Sequence, residues 1–242
     1  VQLSQGTVGA VIDKPAGGEA KYALVASGTA ALVGIPGLTL TGTMNARINR
    51  LGAAIDTTSS TPDGPVRVKF DTADNVTQFG GSARMAVAGF VDLSGTFGIE
   101  KQGETLLVGV VGVEAFLGIG GGTPGAIGLK VSNGNLGLVL KNGSYALTTS
   151  GDVGVVGLPG LSVTGTFNVR ANQLGTSVNE TVTTSAGNIP VVFSTGEKVL
   201  TFGGSAVISV AGIFEISGAI QATKTDSGAI FVDIPSVSAA LN

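Results

Sequence analysis

The chain has 242 residues, 43% of them hydrophobic and only 12% charged, with a net charge of −3 and neither histidine nor cysteine. Lacking both, it can build no Ser-His-Asp triad, no thiol nucleophile and no disulfide, and the usual zinc ligands are missing. Its acidic balance does not suit a phosphate backbone, so nucleic acid is not an expected partner.

Forty glycines among abundant Val, Thr, Ser and Ile make a poor helix composition and a good one for strands and tight turns. Beginning at Val1 rather than Met, the chain is expected to be a processed or excised piece, and no signal peptide is read. Residues 1–12, VQLSQGTVGAVI, match residues 129–140, LKVSNGNLGLVL, at an offset of 128. Residues 22–52, YALVASGTAALVGIPGLTLTGTMNARINRLG, match residues 145–175, YALTTSGDVGVVGLPGLSVTGTFNVRANQLG, at an offset of 123, with 18 of 31 positions identical. The chain is therefore an internal repeat, with five extra residues near 13–21 of the first copy.

Within the first copy, Leu38, Leu40, Gly42, Met44, Ala46 and Ile48 fall on one side. Thr39, Thr41, Thr43, Asn45, Arg47 and Asn49 fall on the other. Such a period of two predicts a strand with one apolar and one polar face. Ile35-Pro36-Gly37 and Leu158-Pro159-Gly160 read as Pro-Gly turns, which makes each 31-residue stretch a central hairpin. A further turn is read at Pro62-Asp63-Gly64-Pro65. Residues 79–101 and 202–224 then agree at 11 of 23 positions.

Alternation through residues 82–100 shows no phase slip. It predicts one very long or bent strand, with Gly89 and Gly95, recurring as Gly212 and Gly218, marking the bends. One helical turn is expected at 113–117. The most apolar segment, residues 106–129, is too rich in glycine, with Pro124 and Glu114, for a spanning helix. Residues 106–118 align with 230–242, and Asn133-Gly134 and Asn142-Gly143 read as hairpin turns. The expected organisation is a first unit at 1–118, a glycine-rich connector at 119–128 and a second unit at 129–242, with seven or eight strands in each.

The residues best placed to form a site are Asn45, Arg47 and Asn49, which recur as Asn168, Arg170 and Asn172. They could form a ligand-binding polar stripe with Arg holding an anion. The favoured reading is a hydrated sheet face whose Arg pairs with a carboxylate on a neighbouring strand. Asp92 and Ser94 recur as Glu215 and Ser217. Asp71, Asp74 and Asn75 could offer oxygens to calcium, but the second copy keeps only Glu197 there, so a solvated loop is favoured. GIGGGTPG at 118–125 lacks the Lys-Ser/Thr and the helix of a phosphate cradle. No catalytic, cofactor or metal residues are assigned, and enzymatic activity is not expected.

The elements YALTTSGDVGVVGLPGLSVTGTFNVRAN, FGGSAVISVAGIFEISG and LLVGVVGVEAFLG resemble tandem β-repeat units of very large, uncharacterised bacterial surface or secreted proteins. That resemblance covers most of both units. It implies an extracellular or cell-surface, adhesin-like or fibre-like role and carries no functional residues.

The expected fold is all-β and antiparallel, with long, curved, glycine-rich strands in two tandem units forming a barrel-like or sandwich sheet system. The expected function is a structural or adhesive protein whose partner is itself, through strand edges or unit-to-unit contact. The alternative is a β-barrel or β-groove carrying a lipid or another hydrophobic ligand, with a membrane as a less favoured partner. A porin-like barrel is disfavoured by the absence of Trp and by only two tyrosines, Tyr22 and Tyr145.

Overall fold

In a computed structural model the described residues are 2–32, 38–87, 91–121, 123–225 and 227–241. They form sixteen strands and no helix. The first eight are β1 (Gln2–Asp13), β2 (Lys21–Leu32), β3 (Leu38–Asn49), β4 (Ile55–Thr61), β5 (Gly64–Phe70), β6 (Val76–Val87), β7 (Val91–Gln102) and β8 (Thr105–Ile119). The next eight are β9 (Ile127–Lys141), β10 (Ser144–Val156), β11 (Leu161–Asn172), β12 (Val178–Thr184), β13 (Gly187–Phe193), β14 (Val199–Val210), β15 (Phe214–Thr225) and β16 (Ile230–Leu241).

Twelve of these strands make one antiparallel sheet in the order β1-β2-β3-β6-β7-β8-β9-β10-β11-β14-β15-β16. Strands β8 and β9 join the two halves along a ladder from Thr105 opposite Lys141 to Ile119 opposite Ile127. The outer strands β1 and β16 have one sheet neighbour each. The sheet is thus open among the described residues, where the sequence led us to expect a barrel or a sandwich. The remaining strands form two hairpins, β4–β5 and β12–β13, inserted between the third and fourth sheet strands of each half.

Local turn chemistry explains several boundaries. Asn142 and Gly143 take φ of 50° and 75°, the two-residue turn expected between β9 and β10. Leu158-Pro159-Gly160 closes with a bond from the Leu161 N–H to the Leu158 carbonyl. Its partner Ile35-Pro36-Gly37 lies outside the described residues.

Three expectations are corrected. Residues 82–100 are not one strand: β6 and β7 pair face to face, from Gln78 opposite Glu100 to Val87 opposite Val91. The equivalent pair β14–β15 opens after Val210 opposite Phe214. An odd number of residues separates the strands of each pair and preserves the period-two phase, so the alternation runs on as though no break were there. Asn133 is not a hairpin turn. It has φ of 52° inside β9, at a register shift where β8 and β10 each slip against β9, so its left-handed backbone serves a bulge. Residues 113–117 are strand, within β8, held between β7 and β9, where β-branched and aromatic side chains suit the pleat.

The buried core lies between the hairpins and one face of the sheet. Val182, Val191, Ile189, Val178 and Phe193 of β12–β13 pack with Leu107, Val139 and Ala146 of β8, β9 and β10. A smaller copy joins Val68 and Phe70 of β5 to Ala23 of β2. The β12–β13 hairpin therefore straddles the boundary between the halves, touching β7 and β8 on one side and β9 and β10 on the other. Glycines make the approach possible. A Cβ on Gly98 would sit 2.3 Å from the Thr183 carbonyl oxygen, and one on Gly109 would sit 2.8 Å from Val182 Cγ1.

Candidate functional site

The expected polar stripe is on the hairpin side of the sheet, and it clamps the hairpins. Arg47 Nη2 donates to the Lys69 carbonyl at 2.8 Å, and its guanidinium lies 4.9 Å from the centre of the Phe70 ring. Arg170 repeats this with the Val192 carbonyl at 2.7 Å and Phe193 at 4.9 Å. These contacts combine a charge-assisted hydrogen bond with cation–π attraction. Asn49 is fully buried. Its Nδ2 donates to the Ala53 and Thr72 carbonyls, and its Oδ1 accepts from the Leu51 N–H. Asn172 makes the same three bonds with Thr176, Thr195 and Leu174. Asn45 and Asn168 point to the same side one step further along; Asn45 borders a small cleft with Arg47, Gln78 and Glu100.

The carboxylate partner expected for Arg47 and Arg170 is therefore replaced by a backbone carbonyl and an aromatic ring. The side-chain ion pairs lie elsewhere: Arg67 with Asp56, Arg84 with Asp92, Lys69 with Asp71 at 2.9 Å and Lys130 with Glu114 at 3.3 Å. A hydrogen bond from Arg84 holds the Asp92 carboxyl below the ordinary aspartate range, and Arg67 does the same for Asp56. Arg84 and Asp92 line an open cleft of about 510 Å³ with Glu114, Lys130 and Phe116. Its charges pair off, Arg84 with Asp92 and Lys130 with Glu114, so these four side chains add no net charge to it. Among the described residues, no three acidic side chains gather as a metal site.

The opposite face has a different character. Directly opposed residues in an antiparallel sheet share a face, so the registers can be followed from strand to strand. One row runs Ala26, Ala46, Phe79, Ile99, Val108, Leu138, Leu147, Ala171 and Leu200. A later row runs Phe167, Gly204 and Ile220, and the next ones Gly165, Ala206, Gly218 and Val237, then Val163, Ile208, Ile216 and Ala239. Among the described residues no further layer covers this face. The equivalent Phe79 and Phe202 are each 44% exposed, and Met44 is 50% exposed.

This apolar face is creased at two equivalent places, one in each half. Gly42 lies on it beside Met44, and a Cβ built there would sit 2.2 Å from the Ser82 carbonyl oxygen. The equivalent Gly165 meets the Ser205 oxygen at the same distance. A neighbouring backbone can come so close only if the sheet folds toward the face on which the Cβ would project. Strand β6 thus leans over β3, and β14 over β11, both toward the apolar side. At the second crease the face carries an open groove of about 550 Å³ lined by Phe167, Phe202, Ile208, Ile216, Ile220 and Val237. The alternating positions were legible in the sequence. The absence of a covering layer was not, because an apolar stripe reads the same whether it meets a core or an open trough.

No protein-family model, no curated protein and no solved structure matches this chain.

Proposed function

We propose that the chain binds a hydrophobic ligand, an acyl chain or a comparable apolar molecule, along the creased apolar face. One observation carries this reading: the face is lined strand after strand by aliphatic and aromatic side chains, it creases at two glycines, and no described residue covers it. Exposed apolar patches of this extent are rare on proteins that act alone. Each methylene withdrawn from water along the trough contributes about 0.8 kcal/mol. The hairpins brace the other face and leave the trough free.

The test is titration with an uncharged long-chain alcohol, followed by the fluorescence of a displaced environment-sensitive dye. Saturable binding is expected, weakened at least tenfold by Ile208→Glu, which sets a charge in the groove. Absence of saturable binding to the unmodified chain would sink the reading.

A second reading is structural self-association through strand edges, as the sequence led us to expect. It is supported by β1 and β16, each with one edge unpaired, and by the exposure of β16 along its whole length. Sedimentation at rising concentration tests it; a single monomer species at all concentrations would count against it.

A further inference from the structure

We propose that the ligand is an anionic amphiphile, whose head is held at one rim of the apolar face by a single lysine, Lys101 in the first half or Lys224 in the second, six strands away, while its chain lies along the apolar strands. This rests on the trough reading above and adds the polarity and orientation of the ligand. Followed through the described side chains of all twelve sheet strands, the apolar face carries only two charged residues, Lys101 and Lys224. They occupy equivalent positions in the two halves. Each is the last residue of this face in its strand, β7 or β15. Lys101 stands opposite Leu106, and Lys224 opposite Leu200 and Ile230. Both ammonium groups are exposed, and neither is ion-paired among the described residues.

The chain's two tyrosines mark the same rim. Tyr145 stands opposite Leu140, which stands opposite Leu106, so Lys101, Leu106, Leu140 and Tyr145 form one row across four strands. Tyr22 holds the equivalent place beside Ile12. Tyrosine presents an apolar ring and a polar tip, and lysine extends an aliphatic stem to a charged head, so both suit the boundary between an acyl chain and its headgroup. The other rim of the same face ends in Leu161, Val210, Phe214 and Leu241, with no charge. The face is therefore polar at one end only, the complement of an amphiphile.

Its length fits as well. From Leu93 to Lys101 the strand runs about 26 Å at about 3.3 Å per residue, against about 15 Å for a chain spanning one leaflet of a bilayer. Each crease offers a place for a single chain, where a bilayer would ask for a convex or flat apolar wall.

The experiment compares hexadecanoate with hexadecanol on the full chain, on the double variant Lys101→Gln with Lys224→Gln, and on the pair Lys101→Arg with Lys224→Arg. The carboxylate is expected to bind about tenfold more tightly than the alcohol, the worth of one charge-assisted contact. The Gln pair should abolish that preference without altering alcohol binding, and the Arg pair should keep it. Equal affinity for both ligands, unchanged by the Gln pair, would overturn the head assignment while leaving the trough reading standing. Failure of both ligands to bind would remove the trough reading itself. Insertion into neutral phospholipid vesicles, with no binding of dispersed amphiphile, would replace the single ligand with a bilayer and overturn the proposal.

Discussion

The two hairpins are built from the same parts and end up in different surroundings. Both are fixed by an Arg on a Phe ring and by a buried Asn that makes three bonds to the loops. Yet β12 lies on β7 and β8, while in the first hairpin it is β5 that packs on β1 and β2, and β4 makes no comparable contact with a sheet strand among the described residues. The side chains follow. The inward positions of β12 are Val178, Glu180, Val182 and Thr184; in β4 the equivalents are Ile55, Thr57, Ser59 and Thr61. Val182 is completely buried and Ser59 is exposed. Beneath β12 the sheet offers Gly98 opposite Gly109, and at the matching places of β15 and β16 it offers Gln221 opposite Asp233. The comparison teaches that the hairpin is the fastener of the seam between halves, and that neither outer end of the sheet copies that seam.

The comparison can be broken most forcefully at its glycines. Gly98→Val combined with Gly109→Val drives side chains into the Thr183 backbone and into Val182, and should cost about 3 kcal/mol or more in urea unfolding. Gln221→Gly with Asp233→Gly, at the matching outer positions, should change stability by less than about 0.5 kcal/mol. Exchanging the hairpin residues is the next largest effect. Val182→Ser leaves a hydroxyl in an apolar core and should cost about 2–3 kcal/mol, whereas Ser59→Val should be near neutral in the same measurement. The shared clamp should respond alike in both halves: Asn49→Ala and Asn172→Ala each strip partners from buried backbone groups and should cost about 1–2 kcal/mol, read as faster amide exchange in the adjoining hairpin. An unequal response would mean that the two clamps are not equivalent.

The smallest effect is in acid. Asp56 has a depressed carboxyl pKa in the folded chain because Arg67 hydrogen-bonds it. The stabilisation is therefore present above the ordinary aspartate value of about 3.9 and fades as pH falls through the lower folded value. Exchange of β4 amides should rise below about pH 4, and Arg67→Gln should remove that dependence. The β12 hairpin, with Asn179 and Pro190 at the positions of Asp56 and Arg67 and so without that ion pair, serves as the internal reference.

Much of the sheet was legible in the sequence because period-two alternation is a direct imprint of the pleat. The strand of Leu38 to Asn49 and the turn at Asn142-Gly143 follow from it. The break between β6 and β7 was hidden because the two strands are separated by an odd number of residues, which keeps the phase of the alternation. Asn133-Gly134 misled because the left-handed backbone that suits a turn also suits a bulge. The repeated Asn-x-Arg-x-Asn pattern announced that those residues matter, but sequence spacing carries no record of which loop or ring folds over them. The creases were written in Gly42 and Gly165, yet a glycine in a strand does not say toward which face the sheet will bend.

The backward reach of the second hairpin bears on how the molecule is made. Strands β7, β8, β9 and β10 all leave the ribosome before β12 does, so the platform is already synthesised when its fastener emerges. Assembly can then proceed in the direction of translation, each hairpin latching strands that precede it and none waiting for sequence still to come. Moving the same hairpin to the front of the chain would keep every final contact and lose that order.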